Sequence, residues 1–206
     1  MAKMKVSDFL KQAKKALASH TVYGSGAFGA SIGNFPTQRD RYYNNTLKRC
    51  GKAEANKVLT EAKTVPCFAF DCVGLLKGLL FSWNAKADDI YGGAVYESNG
   101  VPDFGTDVIK NCTDVSSDFS KIIPGELLWL DGHVGIYMGN DIAVECTTAW
   151  TGNVLKSVVT NIRAAKSGEY GRKWDKHGKL PWVDYSEQPV KLEIVCPCCG
   201  ARFIKE

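Results

Sequence analysis

The stretch from Pro124 to Cys146 limits the fold of this chain more than any other. Pro124-Gly125 introduces the apolar run Glu126-Leu127-Leu128-Trp129-Leu130, and Asp131-Gly132 then turns the chain. His133 to Met138 reads as extended, Gly139-Asn140-Asp141 turns again, and Ile142 to Cys146 runs back. Short β-rich runs separated by Asp-Gly and Gly-Asn are the punctuation of an antiparallel meander. Val154 to Ile162 reads as a further strand of it. Side chains alternate along such a strand, so His133, Gly135 and Tyr137 share one side and Val134, Ile136 and Met138 the other. The second set is apolar and should face the core. Gly135 beside His133 leaves room for a helix end.

A sheet with an apolar face needs a cover. Phe68 to Trp83 is apolar almost all round, as in a helix buried at the centre of a domain. Gly74 and Gly78 lie on one side of it. Each costs a helix about 1 kcal/mol relative to alanine, so another element should pack close there. Near the N-terminus Phe9, Leu10, Ala13 and Leu17 recur among lysines, marking an amphipathic helix with Ser7 as its cap. Tyr23 to Asn34, with four glycines, reads as a loop. Positions 37–65 are polar and carry one short helix around Glu54 to Ala62. Residues 85–118 read as an insertion of turns with one helix near Asp107 to Cys112. Trp174 to Tyr185 closes the unit. Helices first and a sheet afterwards predict an α+β domain over residues 1–185, followed by a short tail over 186–206.

The 206 residues are 45% hydrophobic and 23% charged, ordinary values for a folded domain. No apolar stretch reaches the ~20 residues of a membrane span, so no membrane insertion is expected. No apolar signal core follows Met1-Ala2-Lys3-Met4-Lys5, which predicts a product made in the cytoplasm. A net charge of +4 is too modest to indicate a nucleic-acid partner.

Chemistry concentrates at two residues. Cys72, in Phe70-Asp71-Cys72-Val73-Gly74, stands where the buried helix begins. Unpaired N–H groups and the helix dipole at that point favour a thiolate. The chain has three histidines. His20 follows the first helix and reads as a cap on its end, and His177 lies in a Lys-His-Gly turn and reads as solvated. His133 is left as the base. Glu145, on the returning strand, could hold the second imidazole nitrogen. A tight two-residue loop would put Cys146 opposite His133 instead, so Glu145 needs a bulge or a longer loop. Cys67, Cys112 and Cys146 read as small buried hydrophobes. Trp129 and Trp150 read as core or cleft wall, with Trp150 better placed to touch a substrate. In the tail, Cys196 and Cys199 have the C-x-x-C spacing of half a zinc knuckle. A structural zinc needs four ligands and no second close pair is present, so no cofactor is expected unless another copy of the protein, or Cys198 with a distant cysteine, completes a zinc site at Cys196 and Cys199.

Phe70-Asp71-Cys72 opening a helix, Pro124-Gly125-Glu126-Leu127, Gly132 through Gly139, and Val144-Glu145 together resemble the ordered motifs of the NlpC-type cysteine peptidoglycan hydrolases. The likeness extends over residues ~5 to 185. It implies a papain-like fold in which the nucleophile helix packs on an antiparallel sheet. It also implies Cys72 as nucleophile, His133 as base and then acid, Glu145 as orienting group, and Tyr23 in the oxyanion region. The family more often has His, Asn or Gln where Glu145 stands. Val73 occupies a position that is usually serine in endopeptidases reading a free peptide amine with the preceding aspartate, here Asp71. The ending Arg172-Lys173-Trp174 and His177-Gly178-Lys179-Leu180-Pro181-Trp182 is similar to a subgroup of phage and prophage endolysins. The substrate implied is the peptidoglycan stem peptide. The bond is either the one after γ-D-glutamate or the one joining muramic acid to L-alanine. The alternatives are an inactive wall-binding module on the same fold, against which the intact Cys72, His133 and Glu145 count, and a wall-targeting toxin that would share the chemistry.

Overall fold

The computed structural model describes residues 3–186, with the backbone of 192–195 and 202–205. A two-residue strand β1 (Met4–Lys5) runs straight into helix α1 (Val6–Ala18). Val6, Phe9, Ala13 and Ala16 are its buried stripe. The helix begins before Ser7, at a Lys5 N-cap that makes no side-chain bond. Ser7 therefore sits inside the first turn and is not the cap the sequence suggested.

The glycine-rich stretch is not loop throughout. It begins at the last residue of β2 (Thr21–Tyr23) and contains β3 (Phe28–Ser31), and these two strands flank β4 (Phe68–Phe70) in a three-stranded sheet of order β2-β4-β3. Glycine serves close packing here: a Cβ on Gly29 would lie 2.2 Å from Cδ1 of Trp83. Between β3 and β4 the polar segment holds two helices where one was expected, α2 (Pro36–Cys50) and α3 (Lys52–Glu61). Gly51, at φ +87°, separates them.

The apolar run from Phe68 is strand first and helix second. Asp71 breaks it in an extended conformation, and its carboxylate caps α4 (Cys72–Leu80) by accepting the Gly74 N–H at 2.6 Å. Leu75, Leu76, Leu79 and Leu80 are all buried, each worth roughly 1.5–3 kcal/mol of transfer free energy. Gly74 and Gly78 turn toward the carbonyls of Ala27 and Phe28 on the β3 side, the close approach their positions predicted.

The larger sheet comprises β5 (Thr113–Ser116), β6 (Leu127–Leu130), β7 (His133–Gly139), β8 (Ile142–Thr147), β9 (Asn153–Val159), β10 (Gly171–Arg172) and β11 (Lys176–Lys179). Their order is β10-β9-β8-β7-β6-β11-β5, antiparallel throughout except for β10 beside β9. The expected meander is β6 to β9. A 3₁₀ turn, Thr106–Asn111, precedes the sheet where a short helix was expected. The strand β12 (Val183–Asp184) returns to pair with β1.

One face of the sheet, through Leu127, Val134, Ile136, Val144, Cys146 and Val154, shares a core with α4 and α1. The opposite face packs Leu128, Tyr137, Ala143 and Val159 under Trp174 and Phe119. A helix packed on an antiparallel sheet is the α+β arrangement the sequence predicted. His177 is not solvated: it lies on β11 between β6 and β5, is 2% exposed, and bonds Glu126 through Nδ1 and the Asp118 carbonyl through Nε2. A final hairpin joins β13 (Leu192–Val195) and β14 (Arg202–Lys205). Cys196, Cys198 and Cys199 lie outside the described residues. Among the described residues no group of three or more His, Cys, Asp or Glu could hold a metal, and no helix is long and apolar enough to cross a membrane.

Candidate active site

The turn between β7 and β8 decides which side chains meet. Asn140 and Asp141 form it with positive φ, and Gly139 pairs with Ile142. Carried back unchanged, that register would set Glu145 beside Ile136, on the face that α4 covers. A one-residue bulge between Tyr137 and Gly139 shifts the ladder, so that Ile136 pairs with Val144. Glu145 then comes level with Gly135 and projects on the same side as His133. The bulge is the device the sequence reading required.

On that side His133 Nε2 and Glu145 Oε2 are 2.6 Å apart. Glu145 is completely buried. Its other oxygen, Oε1, accepts the hydroxyl of Ser157, and Arg172 Nε donates to Oε2 at 2.7 Å. Three donors thus converge on one carboxylate, which as an acceptor-only group can satisfy all of them. Trp174 stacks on the imidazole with ring centroids 5.5 Å apart. A Cβ on Gly135 would lie 2.8 Å from that indole. The room beside His133 is therefore filled by Trp174 and not, as expected, by a helix end.

Cys72 approaches from the other element. The β7–β8 ladder runs from Ile136 toward the turn, which leaves the first residues of β7 clear of β8. There the backbone N–H groups of Val134, the residue next to His133, of Val73 and of Cys72 itself favour the ionised form of the Cys72 sulfur. With Nε2 held by Glu145, Nδ1 is the imidazole nitrogen left for the thiol.

The electrostatics correct one expectation. The helix start does lower the thiol pKa through those N–H groups, but burial, followed by the Asp71 charge, outweighs them and pushes Cys72 up to about 11.

Asp71 and Tyr23 border the sulfur. Both Asp71 oxygens are occupied, by the N–H of Gly74 and of Gly26, each at 2.6 Å, so the residue caps α4 and ties the β2–β3 loop to it. Burial raises the pKa of Asp71 against the opposing pull of those N–H groups, Lys77 and Arg49. Tyr23 is half-buried at the end of β2, and burial, Asp71 and Cys72 all push its pKa up, so its hydroxyl stays a donor. Trp150 meets this group indirectly. It stacks on Tyr170 at 4.8 Å, and the Arg172 guanidinium lies 4.7 Å from its ring centre.

Arg172 and Ser157 were not singled out from sequence. A readable signal existed for Arg172: an acid on a buried strand needs a counter-charge, and this arginine stands between Tyr170 and Trp174. Ser157 carries no such signal, because only the β8–β9 register brings it beside Glu145.

No family model and no curated protein matches the sequence. Among solved structures the chain is similar to the P60 domain of an M. avium subspecies paratuberculosis antigen. The identity is 16% and the TM-score 0.43, over 85% of this chain and 93% of that one. It is also similar to the peptidoglycan hydrolase RipB from Mycobacterium tuberculosis, with 16% identity and a TM-score of 0.43 over 85% of this chain. The chain spans 64% of RipB's length.

Proposed function

We propose that this protein is a cysteine hydrolase of the NlpC type that cuts an amide bond in the peptide of bacterial peptidoglycan. The observation that carries the reading is the placement of Cys72 at the start of α4, close to Val134 of β7, beside a residue whose imidazole is bonded to Glu145 through Nε2. The ordered motifs around Cys72, His133 and Glu145 supply the substrate class.

In this reading His133 takes the thiol proton at Nδ1, and the thiolate attacks the amide carbonyl carbon. The oxyanion is received by backbone N–H at the start of α4 and by the Tyr23 hydroxyl. His133 gives its proton to the leaving amine and then removes one from the water that hydrolyses the thioester, which restores the thiol. Glu145 fixes the imidazole throughout. Trp150, half-exposed beyond Arg172, lines the approach for the stem peptide. The role is that of an endolysin, and the bond is the one after γ-D-glutamate or the muramoyl–L-alanine amide.

Purified protein should clear suspensions of Gram-positive cell walls, and Cys72→Ala should reduce the rate by at least about 10³-fold with the fold intact. Mass spectrometry of the released fragments identifies the bond. Equal clearing by wild type and Cys72→Ala would reject the reading.

A further inference from the structure

Glu145 presents an electrostatic problem to the imidazole it holds. A fully buried carboxylate 2.6 Å from Nε2 sets a negative charge directly against the imidazole. A base that must both take and release a proton in each cycle works poorly when one of its states is over-stabilised. The chain places a cation at the same oxygen. Arg172 Nε lies 2.7 Å from Oε2, the atom that His133 also engages, and another guanidinium nitrogen reaches the Thr147 hydroxyl at 3.3 Å. The guanidinium lies against two aromatic rings, 4.7 Å from the centre of Trp150 and 5.7 Å from that of Trp174. Trp174 in turn stacks on His133. Arginine, imidazole and carboxylate are thus locked in one packed unit that joins β7, β8 and β10.

We propose that Arg172 is a positioning residue whose charge cancels that of Glu145, so that the pair orients His133 as a neutral hydrogen-bonding group would. The inference rests on the hydrolase reading for its consequence in catalysis, but not for its electrostatic content. The titratable and charged groups around the imidazole are Glu145 from β8, Arg172 from β10, Cys72 from α4 and, beyond the thiol, Asp71 and Tyr23. Of these, Arg172 is the one cation touching the carboxylate.

The sign is fixed. Removing Arg172 leaves a bare carboxylate that favours imidazolium, and removing the Glu145 charge leaves a bare guanidinium that disfavours it. The test is an NMR titration of His133, assigned through His133→Asn, in wild type, Arg172→Met, Arg172→Lys, Glu145→Gln and the double variant Glu145→Gln/Arg172→Met. The midpoint should rise by about one pH unit or more in Arg172→Met, fall in Glu145→Gln, and return close to wild type in the double variant and in Arg172→Lys.

The kcat/KM profile on cell walls should move to higher pH in Arg172→Met, with at least a tenfold loss near neutrality that the double variant largely recovers. Coincident midpoints in wild type and Arg172→Met, or a double variant displaced as far as its worse parent, would overturn the assignment and leave Arg172 as packing. If wild type clears no wall while the midpoints move as stated, the hydrolase reading fails and the charge cancellation stands. If wild type clears walls and the midpoints coincide, the reverse holds.

Discussion

Gly74→Ala is expected to destabilise the protein by about 3 kcal/mol, against a helix propensity that alone would favour alanine by about 1 kcal/mol. The sign itself is the test. A Cβ at Gly74 would lie 1.7 Å from the carbonyl oxygen of Ala27, 2.7 Å from its carbon and 2.9 Å from Asp71 Oδ1. The first two are backbone atoms and cannot rotate away. The same Ala27 oxygen accepts the Asp71 N–H at 3.0 Å, so pushing it aside also loosens the residue that caps α4. Activity should fall with stability, because Cys72 sits in the turn that would move. Gly105→Ala is the control. Its Cβ would meet nothing closer than Asp107 Oδ1 at 3.3 Å, and its φ of −105° suits any residue, so a change within about 0.5 kcal/mol is expected. Urea unfolding midpoints separate the two cases.

Glu145→Ala is expected to cost about 3 kcal/mol and to lower kcat on the order of 10³-fold. The stability loss follows from stranding. Arg172, His133 and Ser157 all direct donors at this carboxylate, and the alanine leaves a guanidinium charge largely buried with one hydroxyl contact remaining. The loss of rate follows from the proposed mechanism, since Nε2 would lose the bond that fixes the imidazole. Glu145→Gln retains an acceptor and a similar shape, so its stability loss should be clearly smaller. Equal losses in Ala and Gln variants would mean that charge, not hydrogen bonding, holds the site. Thermal melts and initial clearing rates on the same preparations measure both.

What the sequence made legible follows from how local each signal is. The Asp131-Gly132 turn, the Gly139-Asn140-Asp141 turn and the alternation along β7 are short-range features that led to the meander, and a bulge in it brings Glu145 beside His133. The α2 helix was missed because it buries only Tyr42 and Thr46, too thin a stripe to stand out among polar residues. The strand β3 was read as loop because glycine marks both turns and tight packing, and here it admits Trp83 and α4. His177, flanked by lysine and glycine, looks like a turn residue, yet pairing with β6 and β5 buries it against Glu126. The raised thiol pKa of Cys72 was hidden for the same reason: helix-start geometry can be read locally, but burial depends on how α4 is covered.

The pH dependence of Cys72 alkylation by iodoacetamide, followed by peptide mass spectrometry so that other cysteines do not intrude, tests the central claim most directly. In wild type, labelling should already be fast near neutral pH, because His133 accepts the thiol proton. In His133→Ala the thiol is left to burial and Asp71, and labelling should stay slow until the pH approaches about 11. Superimposable curves for the two proteins would contradict the pairing of Cys72 with His133, and the proposed hydrolase with it.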